Sequence, residues 1–452
     1  MVKKGETIDI TIDDIKFPNK GIAYIENNKK IIIKNSIPGQ KLRVKIKKKK
    51  GDKVDAILLE ILEKAPNEVD GPCPVFKECG GCSYQNLNYE DQLLLKEKFI
   101  LDILKDFHLE DIYEGVEGSK KTFEYRNKME FSFGDEYKDG PLTLGLHKRG
   151  SMYDIVNTSV CLLVDNDFRI ILTSVLNFAS HHNYTYYHKR SHEGFLRHLV
   201  VRKGIMTGDI LINFVTSSQG QLHEDDLVNS ILNLPLLGSI KGIIHTTNES
   251  MADIVQSDKS KLLYGQDFIY DKLFDLSFKI TPYSFFQTNT IGAMQLYSTV
   301  KEFVGTIRHN TIYDLYCGTG TIAQVLSSNA DKVIGIEIVE EAVVAARENA
   351  KLNKIDNCEF YSGDVLDLLD NIKESPDIII LDPPRDGIHP KAISKIINFQ
   401  PKAYIYVSCK PTSLARDLPY FLQAGYTVTR LKSVDMFSQT PHVETVALLT
   451  IK

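Results

Sequence analysis

The sequence predicts an α/β protein in three sections: a small N-terminal β-barrel (residues 1–64), a mixed α+β central domain (65–270) and a doubly wound domain (271–452). In the last section, near-continuous apolar runs at 377–382 and 403–407 are typical of parallel strands buried on both faces. In the first section, short segments of alternating polarity are typical of a small barrel. A length of 452 residues is also too great for one ordinary domain.

The first section combines strand patterns with a strong excess of positive charge. Residues 8–12 and 42–47 alternate in polarity, residues 30–34 form a short apolar run, and Pro38-Gly39 marks a turn. The first 50 residues contain 14 Lys or Arg and 5 Asp or Glu, whereas the whole chain has a net charge of −5. A basic barrel on an acidic body indicates a polyanionic partner such as nucleic acid, and the alternative is a solvated lysine face.

The central section contains one helical pattern followed by several strand patterns. Apolar residues recur at helical spacing through 89–104, and strand-like segments follow at 128–133, 196–202 and 210–215. We therefore expect a mixed, mainly antiparallel sheet. We expect part of residues 90–118 to pack on the C-terminal domain.

The chain as a whole reads as a cytoplasmic protein. It has seven cysteines, an odd number that argues against a disulfide framework and favours metal binding or catalysis. No run of about 18 apolar residues predicts a membrane helix. The first residues lack the apolar core of a secretory signal. We expect a monomer with no obligate protein partner.

A glycine-rich turn at residues 314–320 follows the first strand of the C-terminal section and predicts a nucleotide-cofactor site. Glu337 ends the next strand, where a carboxylate would accept hydrogen bonds from ribose hydroxyls, and Asp364 follows the third strand. Tyr316 and Ala323 replace two glycines of the dinucleotide motif, which weakens the case for a pyrophosphate. S-adenosylmethionine, which has none, fits better; capping and surface charge are the alternative for the two acids.

A rigid corner, Asp382-Pro383-Pro384-Arg385, ends a buried strand of the same domain. It resembles the corner of amino-group methyltransferases, which carries an aromatic residue where this chain has Arg385. Because that aromatic stacks on the target base, its absence argues against methylation of an adenine or glutamine nitrogen.

A single thiol, Cys409, follows the apolar strand 403–407 at the edge where ligands bind in such folds. The adjacent Lys410 is expected to favour the thiolate, which is the nucleophilic form. Carbon 5 of a pyrimidine is a poor nucleophile, but addition of a thiolate to carbon 6 places electron density on it. A base must then remove the carbon-5 proton, and Glu444, before the last apolar strand, is the candidate. Inert packing of the thiol and a surface position of the carboxylate are the alternatives.

Together these segments resemble the RNA uracil-5 methyltransferases that act on ribosomal or transfer RNA. The resemblance covers nearly the whole chain and rests on residues 285–289, 314–320, 382–385, 408–409 and 442–445. One departure is Lys410, where the family usually has Asn.

The resemblance implies a fold, a set of roles and a substrate. The fold is a Rossmann-like methyltransferase domain preceded by an RNA-binding TRAM barrel. Cys409 is the implied nucleophile and Glu444 the implied base. The substrate is RNA, with 23S ribosomal RNA favoured and transfer RNA as the alternative. The residues expected to bind S-adenosylmethionine are Gln287, Tyr316, Glu337 and Asp382, to which the strand pattern adds Asp364.

Three cysteines at metal-ligand spacing, Cys73, Cys79 and Cys82, open the central section, and Cys161 could supply a fourth ligand. From spacing alone, zinc and an iron–sulfur cluster are equally good interpretations. The resemblance favours a [4Fe–4S] cluster, because the ribosomal RNA branch of the family carries one on this pattern.

Two basic segments, 123–128 and 197–203, are candidates for RNA contacts, with a solvated strand face as the alternative. The target uridine must leave its stack to be reached. Two other function classes are alternatives to methyl transfer: a non-catalytic RNA chaperone on a degenerate methyltransferase fold, and a cluster-dependent redox protein.

Overall fold

The computed structural model describes residues 2–25, 29–50, 53–252, 258–368 and 375–451. Three large sheets organise these residues, in strand orders β1-β5-β6-β4-β3-β2, β10-β9-β8-β11-β12-β13-β14 and β19-β18-β17-β20-β21-β23-β22-β7. Among the helices of the described ranges, none has both the length and the apolar character needed to cross a membrane.

The N-terminal sheet closes into a barrel because one bent segment contributes to both of its edges. The backbone NH of Ile12 donates to Gln40 O at one edge, and the NH of Asp13 donates to Ile22 O at the other, each over 2.9 Å. Aliphatic side chains fill the interior, which stabilises the barrel by burial of apolar area. Its strands are β1 (Thr7–Thr11), β2 (Asp14–Lys16), β3 (Lys20–Ile25), β4 (Lys29–Lys34), β5 (Lys41–Lys50) and β6 (Lys53–Glu63).

The cysteine-containing loop follows the barrel and leads into helix α1 (Tyr89–Leu104) and strand β7 (Tyr113–Glu117). The buried face of α1 carries Phe99, Ile100 and Leu104. Ile100 and Leu104 pack into the core of the C-terminal domain, whereas Phe99 packs between the barrel and the loop. Helix α1 therefore touches all three parts of the molecule.

The central sheet is mainly antiparallel, with one parallel pair. Helices α2 and α3 bury their apolar faces against it. Its elements are β8 (Lys128–Asp135), β9 (Leu142–His147), β10 (Ile155–Asn157), α2 (Asn166–His181), β11 (Leu196–Lys203), β12 (Asp209–Thr216), α3 (Glu224–Leu232), β13 (Ser239–Thr247) and β14 (Lys259–Gly265). A hairpin of β15 (Ile269–Leu273) and β16 (Leu276–Ile280) then leads to the C-terminal domain.

The C-terminal sheet has five parallel strands followed by β23, which runs antiparallel to both of its neighbours. Strand β22 follows in the direction of the first five, with β7 parallel to it at the edge. Alternate residues of each strand enter two separate cores, one on each face, as a doubly wound sheet requires. Its elements are α4 (Thr290–Gly305), β17 (Thr311–Leu315), α5 (Thr321–Leu326), β18 (Lys332–Glu337), α6 (Glu340–Leu352), β19 (Cys358–Ser362), α7 (Val365–Leu368), β20 (Ile378–Leu381), α8 (Pro390–Ile397), β21 (Ala403–Ser408), α9 (Pro411–Gln423), β22 (Tyr426–Val434) and β23 (Glu444–Ile451). This architecture confirms the predicted fold class.

Candidate active site

The turn between β17 and α5 forms a cradle whose shape requires left-handed backbone at three positions. Tyr316, Gly318 and Gly320 have φ angles of +67°, +54° and +71°. A Cβ atom at Gly320 would lie 2.6 Å from the Phe360 ring, so only glycine fits there. Space above Gly318 is open, and its nearest neighbour would be the ring of Phe285 at 3.9 Å. A ligand can therefore approach the backbone of the turn closely.

Two of the predicted cofactor residues lie beside this turn. Glu337, at the end of β18, accepts the NH of Gly318 on Oε2 and the NH of Val339 on Oε1, each over 3.0 Å. These bonds fix the carboxylate at the cradle and leave further lone pairs for a ligand. Asp364 follows β19, and its negative charge adds to the burial that raises the pKa of Tyr316 to about 12. Asp364 therefore lies within electrostatic range of the predicted cofactor residue Tyr316.

The segment before α4 covers the other side of the cradle. Phe285 is 64% exposed, and its backbone O accepts the hydroxyl of Thr319 over 3.2 Å. Asn127 fixes the next turn of chain, because its Nδ2 donates to Gln287 O over 2.8 Å and its NH to Thr288 O over 2.9 Å. An exposed aromatic ring held over a glycine turn is a suitable lid for a flat heterocycle.

A buried carboxylate that sequence reasoning missed, Asp314, lies beneath the cradle. Its Oδ2 accepts the NH of Ala323 over 2.9 Å, whereas its Oδ1 is buried and has no hydrogen-bond partner among the described residues. Burial, with the charge of Asp382, raises the pKa of Asp314 to about 8. The signal was available, because Asp314 opens the glycine-rich motif. An orphaned buried oxygen of this kind indicates a missing polar ligand.

Asp382 and Gln287 meet on the same side of the cradle. The Gln287 side chain hydrogen-bonds Tyr297, whose hydroxyl is also 3.2 Å from Thr321 Oγ1. Burial raises the pKa of Asp382 to about 7. Glutamine, carboxylates and open backbone thus lie around one turn, a donor and acceptor set that fits the adenosine and amino-acid parts of S-adenosylmethionine.

The predicted nucleophile and base are brought together by strand register. Cys409 directly follows β21, and Glu444 opens β23. The antiparallel register pairs Ser408 with Thr445, so its continuation places Cys409 opposite Glu444. On its other side Glu444 is paired with Val434 of β22. Because residue pairs that face each other in a sheet have neighbouring Cβ atoms, the thiol and the carboxyl group share one small region.

The electrostatics of this region favour the protonated forms of both groups in the absence of ligands. Burial, followed by the charges of Glu444 and Asp382, raises the pKa of Cys409 to about 11. Burial, followed by the charge of Asp382, raises the pKa of Glu444 to about 8. The cation that opposes both shifts is Arg385 of the Pro-Pro corner. A base with a pKa near 8 suits proton removal at neutral pH.

Lys410 does not play the part expected for it. Its Nζ lies 3.8 Å from Asp386 Oδ1, at the surface, and its backbone begins helix α9. Arg385 supplies the positive charge instead. The sequence singles it out only because it replaces the aromatic residue of amino-group methyltransferases. His442 also lies in this region, where burial and the nearby cations lower its pKa to about 4. It is therefore neutral at physiological pH.

Comparison with known proteins finds similar proteins along the whole length of this chain. The family model of tRNA (Uracil-5-)-methyltransferase matches residues 240–452, and the TRAM domain model matches residues 2–59. A crystal structure of the Pyrococcus abyssi tRNA (uracil-54, C5)-methyltransferase in complex with S-adenosyl-L-homocysteine superposes with a TM-score of 0.78. It is 27% identical, and the match covers 98% of this chain and 100% of that chain.

Closer relatives come from clostridia. A Clostridium tetani protein named as an uncharacterized RNA methyltransferase is 46% identical over 452 residues, 100% of this chain and 99% of its own length. One from Clostridium acetobutylicum is 48% identical over 453 residues, with the same shares covered. The chain belongs to the RNA uracil-5 methyltransferase family. The predicted resemblance and TRAM domain are therefore confirmed.

In this RNA uracil-5 methyltransferase family member the four predicted metal-binding cysteines line one mainly apolar cavity. Gly81 NH donates to Cys79 Sγ over 3.3 Å, and Gln85 Nε2 donates to Cys82 Sγ over 3.1 Å. Arg149 holds the loop, because its Nη2 donates to Cys82 O over 2.7 Å and to Phe76 O over 3.0 Å. Within the residues the structure describes, no three His, Cys, Asp or Glu side chains are grouped closely enough to hold a metal ion.

The prediction that residues 197–203 contact RNA is wrong for the two arginines of this segment, which are buried. Arg197 donates to Asn248 O over 2.7 Å and stacks on Tyr187, with 4.4 Å from its guanidinium carbon to the ring centre. Arg202 donates to Ser284 O over 2.7 Å. Both are only 4% exposed. Strand alternation could not reveal this, since these side chains satisfy backbone carbonyls of distant segments.

Proposed function

We propose that this RNA methyltransferase transfers a methyl group from S-adenosylmethionine to carbon 5 of a uridine in 23S ribosomal RNA through a covalent adduct with Cys409. The observation that carries the proposal is the cross-strand placement of Cys409 opposite Glu444, beside the glycine cradle. A thiol facing a buried carboxyl group is the minimum apparatus that methylation at a pyrimidine carbon requires.

The residues have separate tasks. Cys409, as the thiolate that the Arg385 charge favours, adds to carbon 6 of a flipped uracil and moves the electron pair of the carbon 5–carbon 6 double bond towards the ring carbonyl. S-adenosylmethionine supplies an electrophilic methyl group to carbon 5. Glu444, as the carboxylate, then takes the carbon-5 proton, and the released electron pair re-forms the double bond and expels the Cys409 sulfur.

We propose a task for each cofactor residue, beginning at the cradle. Glu337 accepts the ribose hydroxyls, and Asp364 lies next to Tyr316 at the adenine end. Gln287 and Asp382 hold the amino-acid end, next to the orphaned Asp314 oxygen. Each of these groups lies at the carboxyl edge of the parallel strands or on the segment that covers it.

We also propose that Cys73, Cys79, Cys82 and Cys161 hold a [4Fe–4S] cluster. The four thiols line one cavity, and four cysteine thiolates are the ligand set that such a cluster requires. NH donors to two of the sulfurs would stabilise thiolate ligands. This cluster favours ribosomal RNA, because it marks that branch of the family.

Transfer RNA is the second candidate substrate, favoured by the likeness to the Pyrococcus abyssi enzyme named for uracil 54 of tRNA. Unmodified transcripts of 23S rRNA and of tRNA, each incubated with protein and S-adenosylmethionine, separate the two. We expect 5-methyluridine in digests of the 23S transcript by mass spectrometry, and none with Cys409→Ala. Methylation of tRNA alone would reassign the substrate, and full activity of Cys409→Ala would overturn the mechanism.

A further inference from the structure

The segment that leads into Glu444, residues 435–443, receives hydrogen bonds from several parts of the chain outside its own sheet. We call it the base loop. Four consecutive backbone carbonyls of the base loop each accept a hydrogen bond from a different part of the chain. Met436 O accepts Asn289 Nδ2 at 2.7 Å, Phe437 O accepts Lys96 Nζ at 3.1 Å, and Ser438 O accepts the Tyr125 hydroxyl at 3.1 Å; Gln439 O accepts the NH of Ser83 at 2.7 Å and of Tyr84 at 3.1 Å.

Side chains of helix α1 complete the attachment. Gln92 is 1% exposed; its Oε1 accepts the NH of Gln439 and its Nε2 donates to Gln439 Oε1, both over 3.0 Å. Lys96 forms a fully buried ion pair with Asp435 over 2.5 Å, and Asp435 also accepts the Tyr89 hydroxyl over 2.8 Å. Gln439 has a φ of +68°, a conformation that a non-glycine residue keeps only when its surroundings enforce it.

This attachment bears directly on the predicted base. Glu444 is the first residue of β23, so sheet pairing fixes the chain on its C-terminal side, and the base loop must fix it on the other side. A slip of one residue in a strand turns each of its side chains to the opposite face. With four carbonyls fixed, the base loop cannot take up such a slip, and Glu444 stays on the face that Cys409 occupies.

We propose that α1, Tyr125 and the loop after Cys82 form a clamp that positions Glu444 for removal of the carbon-5 proton. Gln92 and Tyr125 are positioning residues, since they act through the base loop. The inference rests on the proposed function, because it needs Glu444 to be the base. It also joins the cysteine loop to the active site: Ser83 and Tyr84 follow Cys82 directly and hold Gln439.

The clamp predicts a defect in one step of the reaction only. Single-turnover reactions on the unmodified 23S rRNA transcript would follow two quantities: protein–RNA complex that survives denaturing gels, and free methylated RNA. For Gln92→Leu and Tyr125→Phe we expect complex formation within two-fold of wild type and release at least ten-fold slower. Glu444→Gln should accumulate the same protein–RNA complex. The control Leu94→Ala changes a residue of α1 that is 63% exposed and should behave as wild type.

A merely structural role would lower the active fraction and slow both steps alike. Tyr125→Phe removes only a hydroxyl, so it keeps a folded protein available if Gln92→Leu is poorly produced. Equal slowing of both steps, or no accumulation in either clamp variant while Glu444→Gln accumulates complex, would overturn the clamp alone. Rapid release by Glu444→Gln would instead overturn the assignment of the base, and the clamp with it.

Discussion

The burial of Glu444 should make the protein less stable as the pH rises, and Glu444→Gln should remove that dependence. The folded-state pKa of Glu444 is about 8, against an ordinary value of 4.5, because burial and the charge of Asp382 disfavour the carboxylate. Between these values the unfolded chain releases this proton and the folded chain keeps it. The free energy of unfolding therefore falls as the pH rises from about 4.5 to about 8.

The size of the effect follows from the shift. One pKa unit corresponds to about 1.4 kcal/mol, and most of the interval between the two values lies between pH 5.5 and 8.5. After a reduction for relaxation around a buried carboxyl group, wild type should lose about 2 to 3 kcal/mol over that range from this residue. Glutamine keeps the shape and has no proton to release, so Glu444→Gln should gain that amount relative to wild type at the higher pH.

Urea unfolding of wild type and variant at pH 5.5 and 8.5, followed by circular dichroism, measures the difference. Glu341→Gln, at an exposed position on α6, is the matched control and should give the same difference at both pH values within about 0.5 kcal/mol. An advantage of Glu444→Gln that is absent, or equal at the two pH values, would refute the burial argument for this carboxyl group.

The remaining predictions concern the cofactor, the cysteines and the clamp. Gly318→Ala should raise the KM for S-adenosylmethionine at least ten-fold, because the added Cβ enters the open cradle at a φ of +54°. RNA binding by this variant should stay unchanged, and so should the KM of the control Gly305→Ala. An unaltered KM in Gly318→Ala would show that the cofactor does not bind at this turn. Cys82→Ser should lose most of the iron and the visible absorbance of protein purified without air, whereas Cys358→Ser should keep both; iron retained by Cys82→Ser, or zinc in its place in wild type, would contradict the cluster. Lys96→Met should lower the free energy of unfolding by about 3 kcal/mol, because it leaves Asp435 buried without its cation. Adding Asp435→Leu to this variant should restore part of the lost stability. Lys96→Met as stable as wild type would contradict the burial of this pair.

Local patterns in the sequence were enough to predict the strand ends that carry the site. Apolar runs located β20 and β21, and in a parallel sheet the residues after such strands share one edge. The position of Cys409 followed from that rule, and the cradle at 314–320 followed from its glycine-rich motif after an apolar strand. The antiparallel pairing of β23 with β21, which brings Glu444 to Cys409, depends on a chain reversal that periodicity does not reveal.

Features set by distant segments could not be predicted. The buried charge of Lys96 is compensated by Asp435, 339 residues away. Lys410 adjoins the thiol in sequence, whereas Arg385 lies on the separate Pro-Pro corner, and only the path of that corner in the fold shows that Arg385 is the cation that acts on Cys409. Strand β7 pairs with β22 across more than 300 residues, so its place in the C-terminal sheet is invisible to local patterns.

The covalent bond from Cys409 to the pyrimidine ring is tested most directly by trapping it. A 23S rRNA transcript containing 5-fluorouridine, incubated with protein and S-adenosylmethionine, offers a ring whose carbon-5 fluorine cannot leave as a proton. Digestion and mass spectrometry should find a methylated fluorouridine nucleotide attached to the peptide that contains Cys409, and no such adduct with Cys409→Ala. An adduct on another residue, or normal methylation of natural RNA by Cys409→Ser, would contradict the account.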